Sequence, residues 1–415
     1  MTESKPRVLM VPDAYWGPDS GAVAARLAAG VWQSLGCEVA VYAEPPKFSV
    51  TSASGVRAYS ARPIRLVHHF GGNAATELFV KAIEDFKPTQ VFFLGSAISK
   101  PTSYFAAARR RGIPRICLWW IQDFFCTRGY GCLPEEGPCT RCLGGNGLHA
   151  VLNRCHYNSP DFSKIIAGVV ARMVQRRELQ RSDVVMGSSL GQLDLYRRFG
   201  MPPSRLVQCP LFFNPDRVQG HASKQGDYFV CYGQAREEKG WHLLTSILRA
   251  APGIKLVLPF GDAVTADTAL TKFGLQQFQK SGQIRVLTGI TWLTGVARLV
   301  AESCGVLIPS IWPTTTEYVL LESIGLGKPV IAFDVGIHAE EIVSGENGLL
   351  ASVGDAVGIA GQLTRLAGDF ELQARLSNGA KRLFERLTAP ERYCLAFRQA
   401  VDLAGSGRQT DAMAR

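Results

Sequence analysis

Short apolar runs alternate with amphipathic stretches along most of this chain. In the first half, Val8 to Val11, Glu38 to Ala43, Gln90 to Leu94, Pro114 to Trp120, the start of Ser182 to Ser189, and Leu206 to Cys209 read as strands. Most are apolar at successive positions, the mark of strands covered on both faces. Between them, Ala22 to Leu35, Ala75 to Phe86, Ser103 to Arg111, Ile165 to Arg181 and the stretch ending at Phe199 have helical spacing. The second half repeats the scheme. Tyr228 to Gly233, Lys255 to Pro259, Ile284 to Leu287, Val306 to Ile308 and Val330 to Phe333 are strands, and Trp241 to Arg249, Phe370 to Glu385 and Glu391 to Leu403 are helices. Regular alternation of strand and helix predicts an α/β protein with two doubly wound parallel sheets.

Length agrees: 415 residues suit two domains of roughly 200 residues each. Residues 214–227 are polar and rich in turn formers, and are expected to link domains at 1–213 and 228–388. A helix over 389–404 and a disordered tail over 405–415 complete the expected organisation.

Composition excludes some classes. The chain is 47% hydrophobic and 19% charged, which permits sizeable cores and argues against general disorder. No apolar run reaches the roughly 18–20 residues needed to span a bilayer. The N-terminus runs straight into the first strand without an apolar signal core, so a cytoplasmic location is expected. A net charge of +10 suits anionic partners such as nucleotide diphosphates, polyprenyl phosphates, an inner membrane surface or nucleic acid. The turn after the first strand holds Gly17 and Gly21 but lacks Gly-x-Gly-x-x-Gly spacing, which argues against a dinucleotide site.

Residues 126–156 break the periodicity and read as an insertion. Cys126, Cys132, Cys139 and Cys142 fall within it, followed by Cys155-His156. The Cys-x2-Cys pair with two cysteines upstream makes Cys126, Cys132, Cys139 and Cys142 a candidate structural zinc site. Unligated or redox-active cysteines and an iron–sulfur cluster are the alternatives. Four thiolates would leave zinc no open position, so no catalytic metal is expected.

The chemistry concentrates in two places. Gly233-Gln-Ala-Arg236-Glu-Glu-Lys239-Gly240 follows a strand directly, and a fixed ammonium beside backbone N–H groups suits a leaving diphosphate. Further on, Pro309-Ser310 precedes Thr314-Thr315-Thr316-Glu317, a helix carrying Glu322, the strand Val330 to Phe333, and the glycine loop at Gly336. This second segment resembles the carboxyl-terminal signature of glycosyltransferase family 4, whose members are retaining enzymes of the GT-B fold. Pro309-Ser310, Glu322, Pro329-Val330, Gly336 and Glu340 or Glu341 carry the likeness.

The resemblance implies GT-B, two Rossmann-like domains facing a cleft, and retaining transfer of a sugar from a nucleotide-diphosphate sugar to an acceptor hydroxyl. It implies a donor site of Gly17, Gly21, Gly233, Gln234, Thr314, Thr315, Thr316, Glu317, Glu322 and Gly336. Glu322 would bind the ribose, and Lys239 with Arg236 the diphosphate. Gln122 and Asp123 would stand where the family often carries His-Asp, near the donor sugar and the acceptor. Three positions depart from the pattern: Thr314 replaces its first Glu, Gln122 its His and Gln234 its Arg. Glu317 is the candidate to stand in for the missing carboxylate. The expected acceptor is a glycan or a lipid-linked glycan in surface polysaccharide or glycoconjugate synthesis. The basic helix from Ile165 suits peripheral contact with an anionic inner membrane face, and no nucleic acid is expected. The alternative is a degenerate GT-B protein that binds nucleotide or glycan without turnover.

Overall fold

The computed structural model describes residues 5–17, 19–45, 56–62, 74–133, 136–155, 161–221, 226–315 and 317–413. The chain divides into two compact units. Unit 1 comprises Met1–Gly131, Thr140–Phe212 and Pro390–Arg415, and unit 2 comprises Cys132–Cys139 and Phe213–Ala389.

Unit 1 is built from β1 (Arg7–Val11), α1 (Ser20–Ser34), β2 (Glu38–Ala43), β3 (Arg57–Ser60), α2 (Ala74–Phe86), β4 (Gln90–Gly95), α3 (Thr102–Arg110) and β5 (Arg115–Trp119). The chain next forms a two-stranded antiparallel ribbon, β6 (Cys132–Leu133) with β7 (Gly137–Pro138), which belongs to unit 2. It then returns with α4 (Leu148–Leu152), α5 (Phe162–Gln180), β8 (Val184–Gly187), α6 (Leu190–Phe199) and β9 (Leu206–Gln208). The sheet of unit 1 runs β3-β2-β1-β4-β5-β8-β9. All its pairings are parallel.

Unit 2 contains β10 (Phe229–Val230), α7 (Leu244–Ala250), β11 (Leu256–Pro259), α8 (Ala263–Lys272), α9 (Gln276–Lys280), β12 (Ile284–Leu287), α10 (Ala297–Ala301) and β13 (Gly305–Ile308). It continues with α11 (Tyr318–Gly325), β14 (Val330–Phe333), α12 (Ile337–Glu341), β15 (Gly348–Ala351), α13 (Ala356–Gly368) and α14 (Phe370–Thr388). Its parallel sheet has the order β12-β11-β10-β13-β14-β15.

The apolar runs occupy the sheet centres because a parallel strand covered by helices on both faces has no polar side. Val8, Leu9, Met10 and Val91 to Leu94 are fully buried in unit 1, as are Val330 to Phe333 in unit 2. Short polar side chains start the helices by accepting otherwise unpaired backbone N–H groups. Asp19 accepts from Ala22 at 2.9 Å, Ser189 from Gln192 at 3.1 Å and Asp262 from Thr265 at 2.7 Å.

Within the expected linker 214–227, Pro215–Val218 forms a 3-10 turn capped by Asn214. The expected disordered tail is helical as far as Met413, within α15 (Pro390–Met413). This helix belongs to unit 1 because its apolar face completes that core. Phe397 lies 4.5 Å from Trp32, 5.5 Å from Phe92 and 5.7 Å from Phe212, ring centre to ring centre. Tyr393 donates to the Leu211 carbonyl at 2.8 Å.

The packing of α15 can be tested by substitution. Phe397→Ala should destabilise the chain by about 3–5 kcal/mol, read from the denaturant midpoint. Leu395→Ala, at a residue 69% exposed on the same helix, should change stability by less than about 0.5 kcal/mol. Equal effects would refute the packing.

Candidate functional site

In unit 2 the chain moves outward from β10 to β11 and β12, then crosses to the other side of β10 to form β13. The loops after β10 and β13 therefore diverge at the carboxyl edge of the sheet, where open α/β sheets hold ligands. Lys239 lies on the loop after β10, while Ser310 and Glu317 follow β13 and His338 follows β14. These side chains meet on one carboxylate.

Glu317 is buried. Its Oε1 accepts from Lys239 Nζ at 2.5 Å and from Ser310 Oγ at 3.1 Å. His338 Nε2 approaches Oε2 to 2.8 Å, out of line for a hydrogen bond. The ammonium of Lys239 also lies 5.0 Å from the centre of the Trp312 ring, a cation–π arrangement. Burial pushes the Glu317 carboxyl up, but the charge of Lys239 and the proximity of His338 outweigh it and hold the pKa at about 2. His338 is fully buried beside the carboxylate.

Two glycines make this convergence possible. Gly240 has φ +72°, and a Cβ there would stand 1.7 Å from the Pro309 carbonyl oxygen. At Gly336, φ is +56° and a Cβ would stand 2.5 Å from the Thr314 nitrogen. Each lets one loop lie directly on the backbone of another. Backbone bonds from Ile311 N to Glu238 O at 3.1 Å and from Ile337 N to Thr314 O at 2.9 Å lock the loops together.

Glu322 sits in α11, one turn beyond its start, and is also buried. One oxygen accepts from Arg217 Nη2 and the other from Tyr232 Oη at 3.3 Å. Burial raises its pKa despite the opposing effect of Arg217. Trp292 completes the group. Its ring stacks on Tyr232 at 5.9 Å, lies under the Arg217 guanidinium at 5.6 Å, and donates from Nε1 to the Arg217 carbonyl at 2.9 Å. Sequence reasoning missed Arg217, Tyr232 and Trp292, because Arg217 lay in the expected linker and neither aromatic carried a motif.

The other expected donor residues differ in accessibility. Gly233 and Gln234 are exposed on the loop after β10, and Arg236 is paired with Glu238 at 3.6 Å. Thr314 and Thr315 are buried. Thr316 lies outside the described residues.

In unit 1 the corresponding divergence lies between β1 and β4. Gly17 adopts φ +102° in the loop after β1, and Gly21 is in the first turn of α1. Asp13, which sequence reasoning passed over, accepts from Lys100 Nζ, Ser99 Oγ and, at 2.7 Å, Ser96 N. Lys100 itself is buried. Gln122 and Asp123 are buried after β5. Asp123 accepts from Ser96 Oγ, from Ala97 N at 3.0 Å and from Ile98 N at 3.1 Å, so it organises the loop after β4. Burial raises its pKa more than Arg172 and these donors lower it.

The zinc expectation is corrected. Cys132 and Cys139 belong to unit 2, whereas Cys126 and Cys142 belong to unit 1 and pack against its apolar core. Among the described residues no group of three or more His, Cys, Asp or Glu side chains could hold a metal ion. A tetrahedral zinc site needs its ligands gathered around one point, and these cysteines do not fit one.

Residues 227–369 match the family model described as Glycosyl transferases group 1. No curated protein sequence matches the chain. Among solved structures, sucrose-phosphate synthase from Thermosynechococcus elongatus is 14% identical with a TM-score of 0.65, covering 99% of this chain and 100% of that one. Anabaena HepE in complex with UDP and glucose is 13% identical with a TM-score of 0.63, covering 95% of this chain and 99% of that one. The lipopolysaccharide outer core galactosyltransferase WaaB is 14% identical with a TM-score of 0.59, at 95% and 99% coverage. The chain has their GT-B fold, with two parallel-sheet α/β domains.

The Glu317 cluster predicts an acid dependence. A carboxyl whose pKa falls from an ordinary 4.5 to about 2 on folding stabilises the fold fully above the ordinary value. That contribution is lost as pH falls toward the folded value. Glu317→Gln leaves Lys239 and His338 without the carboxylate and should cost about 3 kcal/mol near neutrality. The stability gap between wild type and variant, from denaturant titrations, should close between about pH 5 and about pH 2. A gap independent of pH would refute the ionised cluster.

Proposed function

We propose that this protein is a retaining glycosyltransferase that moves a sugar from a nucleotide-diphosphate donor to an acceptor hydroxyl. One observation carries the reading: the group 1 glycosyl transferase match spans the stretch in which Lys239, Glu317, His338 and Glu322 gather at the switch point of the sheet. Lys239 is the diphosphate ligand. The bond from the anomeric carbon to the terminal phosphate oxygen breaks, and Lys239 balances the charge that develops there. Glu317 keeps the ammonium in place, and its buried oxygens are the candidates for donor-sugar hydroxyls in place of the family's first Glu. Glu322 accepts from the ribose hydroxyls, taking up donors in place of Arg217 and Tyr232. Gly233 and Gln234 flank the diphosphate, with Arg236 as the second cation.

The acceptor oxygen bonds to the anomeric carbon on the face the phosphate leaves, which retains configuration. Its proton passes to the departing phosphate. Gln122 cannot serve as a general base, and Asp123 is committed to backbone amides, which favours this route. Gly17 and Gly21 are the unit 1 positions proposed to approach the donor. The acceptor class proposed is a glycan or lipid-linked glycan of surface polysaccharide or glycoconjugate synthesis, met at the cytoplasmic side of a membrane.

The first test is thermal stabilisation by nucleotide diphosphates, beginning with uridine diphosphate, the ligand present in the HepE structure. A nucleotide at 100 times its Kd should add about 2.7 kcal/mol. Lys239→Ala and Glu322→Ala should each abolish most of that gain. Turnover of a matching nucleotide sugar, followed by release of the diphosphate, should fall by about 100-fold or more in Lys239→Ala. Stabilisation without any transfer would favour a degenerate binding protein, and no stabilisation by any nucleotide would overturn both readings.

A further inference from the structure

Unit 1 presents a feature that the proposed donor site does not use. Helix α5 buries Ile165, Val169, Ala171, Gln175 and Leu179 against its own unit. Phe162, Ile166, Val170, Met173 and Val174 recur at intervals of four, four, three and one, which places them on a single different face. All five are exposed, Phe162 to 58% and Met173 to 53%. Helix α4, which packs on α5, adds Leu148 and Leu152, one turn apart, the latter 72% exposed. Scattered exposed apolar residues are ordinary, but a continuous stripe over two neighbouring helices marks a docking surface.

The charges around the stripe choose its occupant. Residues 141–181 contain seven Lys and Arg but only two acidic residues, Asp161 and Glu178. Asp161 caps the start of α5. Glu178 is buried and paired with Arg109, Arg115 and Arg181. Arg177 and Arg181 follow Met173 at helical intervals and prolong the same face. Beside Met173 a recess lined by Phe124, Val169, Arg172 and Arg176 opens. Both arginines donate to backbone carbonyls, Arg172 to Asp123 at 2.8 Å and Arg176 to Leu143 at 2.9 Å. Among the described residues neither has a carboxylate within ion-pair distance.

We propose that the α4–α5 face is a membrane-docking surface for an anionic lipid bilayer, its apolar stripe seated among the acyl chains and its arginines on lipid phosphates. An apolar stripe with cationic borders is what such an interface retains. A second copy would set the same basic residues against each other, which disfavours self-association. Among the described residues no helix is long and apolar enough to cross a membrane, so the contact is peripheral. The proposal rests on the shape and charge of this face and stands independently of the sugar-transfer reading.

Co-sedimentation of the full chain with vesicles tests it. Vesicles of phosphatidylcholine with about 30 mol% phosphatidylglycerol should bind roughly tenfold more protein than pure phosphatidylcholine, and about 0.5 M salt should remove most of the difference. The double variant Ile166→Glu/Met173→Glu should lose at least about tenfold in binding while keeping its helical circular dichroism and its stabilisation by uridine diphosphate. Arg177→Glu should weaken only the anion-dependent part. Binding indifferent to lipid charge, or a double variant that binds like the wild type, would overturn the proposal. So would a salt-stable dimer in size-exclusion chromatography that the double variant dissociates, because it would assign the face to a second copy. Loss of the uridine diphosphate effect in the wild type would count against the donor site and leave the docking result standing.

Discussion

Three loops of unit 2 are held by a single buried carboxylate. Glu317 binds Lys239 from the loop after β10 and Ser310 from its own loop, and it faces His338 after β14. A carboxylate taken out of water needs such partners, since an isolated buried charge is very costly. Here the partners lie far apart in sequence, so meeting that requirement fixes the geometry of the whole sheet edge. Gly240 and Gly336 are constrained by the same convergence, because any side chain at either would hold the loops apart.

Around this centre the second carboxylate is arranged differently. Glu322 is also buried, yet its ordinary acidity is weakened where that of Glu317 is strengthened. The difference lies in the partners. Glu317 has an ammonium at 2.5 Å and an imidazole at 2.8 Å, whereas Glu322 shares Arg217 with the face of Trp292 and otherwise meets a neutral phenol. The two acidities follow from environment, although both residues are glutamates five positions apart.

Unit 1 repeats the principle with other residues. Its loops after β1, β4 and β5 are tied through Asp13 and Asp123, with buried Lys100 as the counter-charge of Asp13. Asp123 was legible as a candidate because it follows a strand, but its oxygens are spent on backbone amides and the Ser96 hydroxyl. The zinc expectation finds no support for a related reason: cysteine spacing reports distance along the chain, and among the described residues no three metal-ligating side chains gather around one point.

The sequence by itself determined the two parallel sheets, their strands apart from β3 and β15, and which residues, Lys239, Glu317 and Glu322, stand out as candidates. Strand burial and loop chemistry leave local traces, in apolar runs and in residues at fixed offsets from a strand end. Only the tertiary structure decided what those residues meet. Arg217 stood in a stretch that reads as linker, Tyr232 at the end of a strand, Trp292 in an unremarked loop, and His338 two residues past a glycine. They gather around Glu317 and Glu322 because the fold returns distant segments to one another, and that proximity has no signature in spacing along the chain. The exposed stripe of α5 has the same origin. Its period was visible in the sequence, but which of its apolar positions face the core and which face outward was fixed by packing against the rest of unit 1.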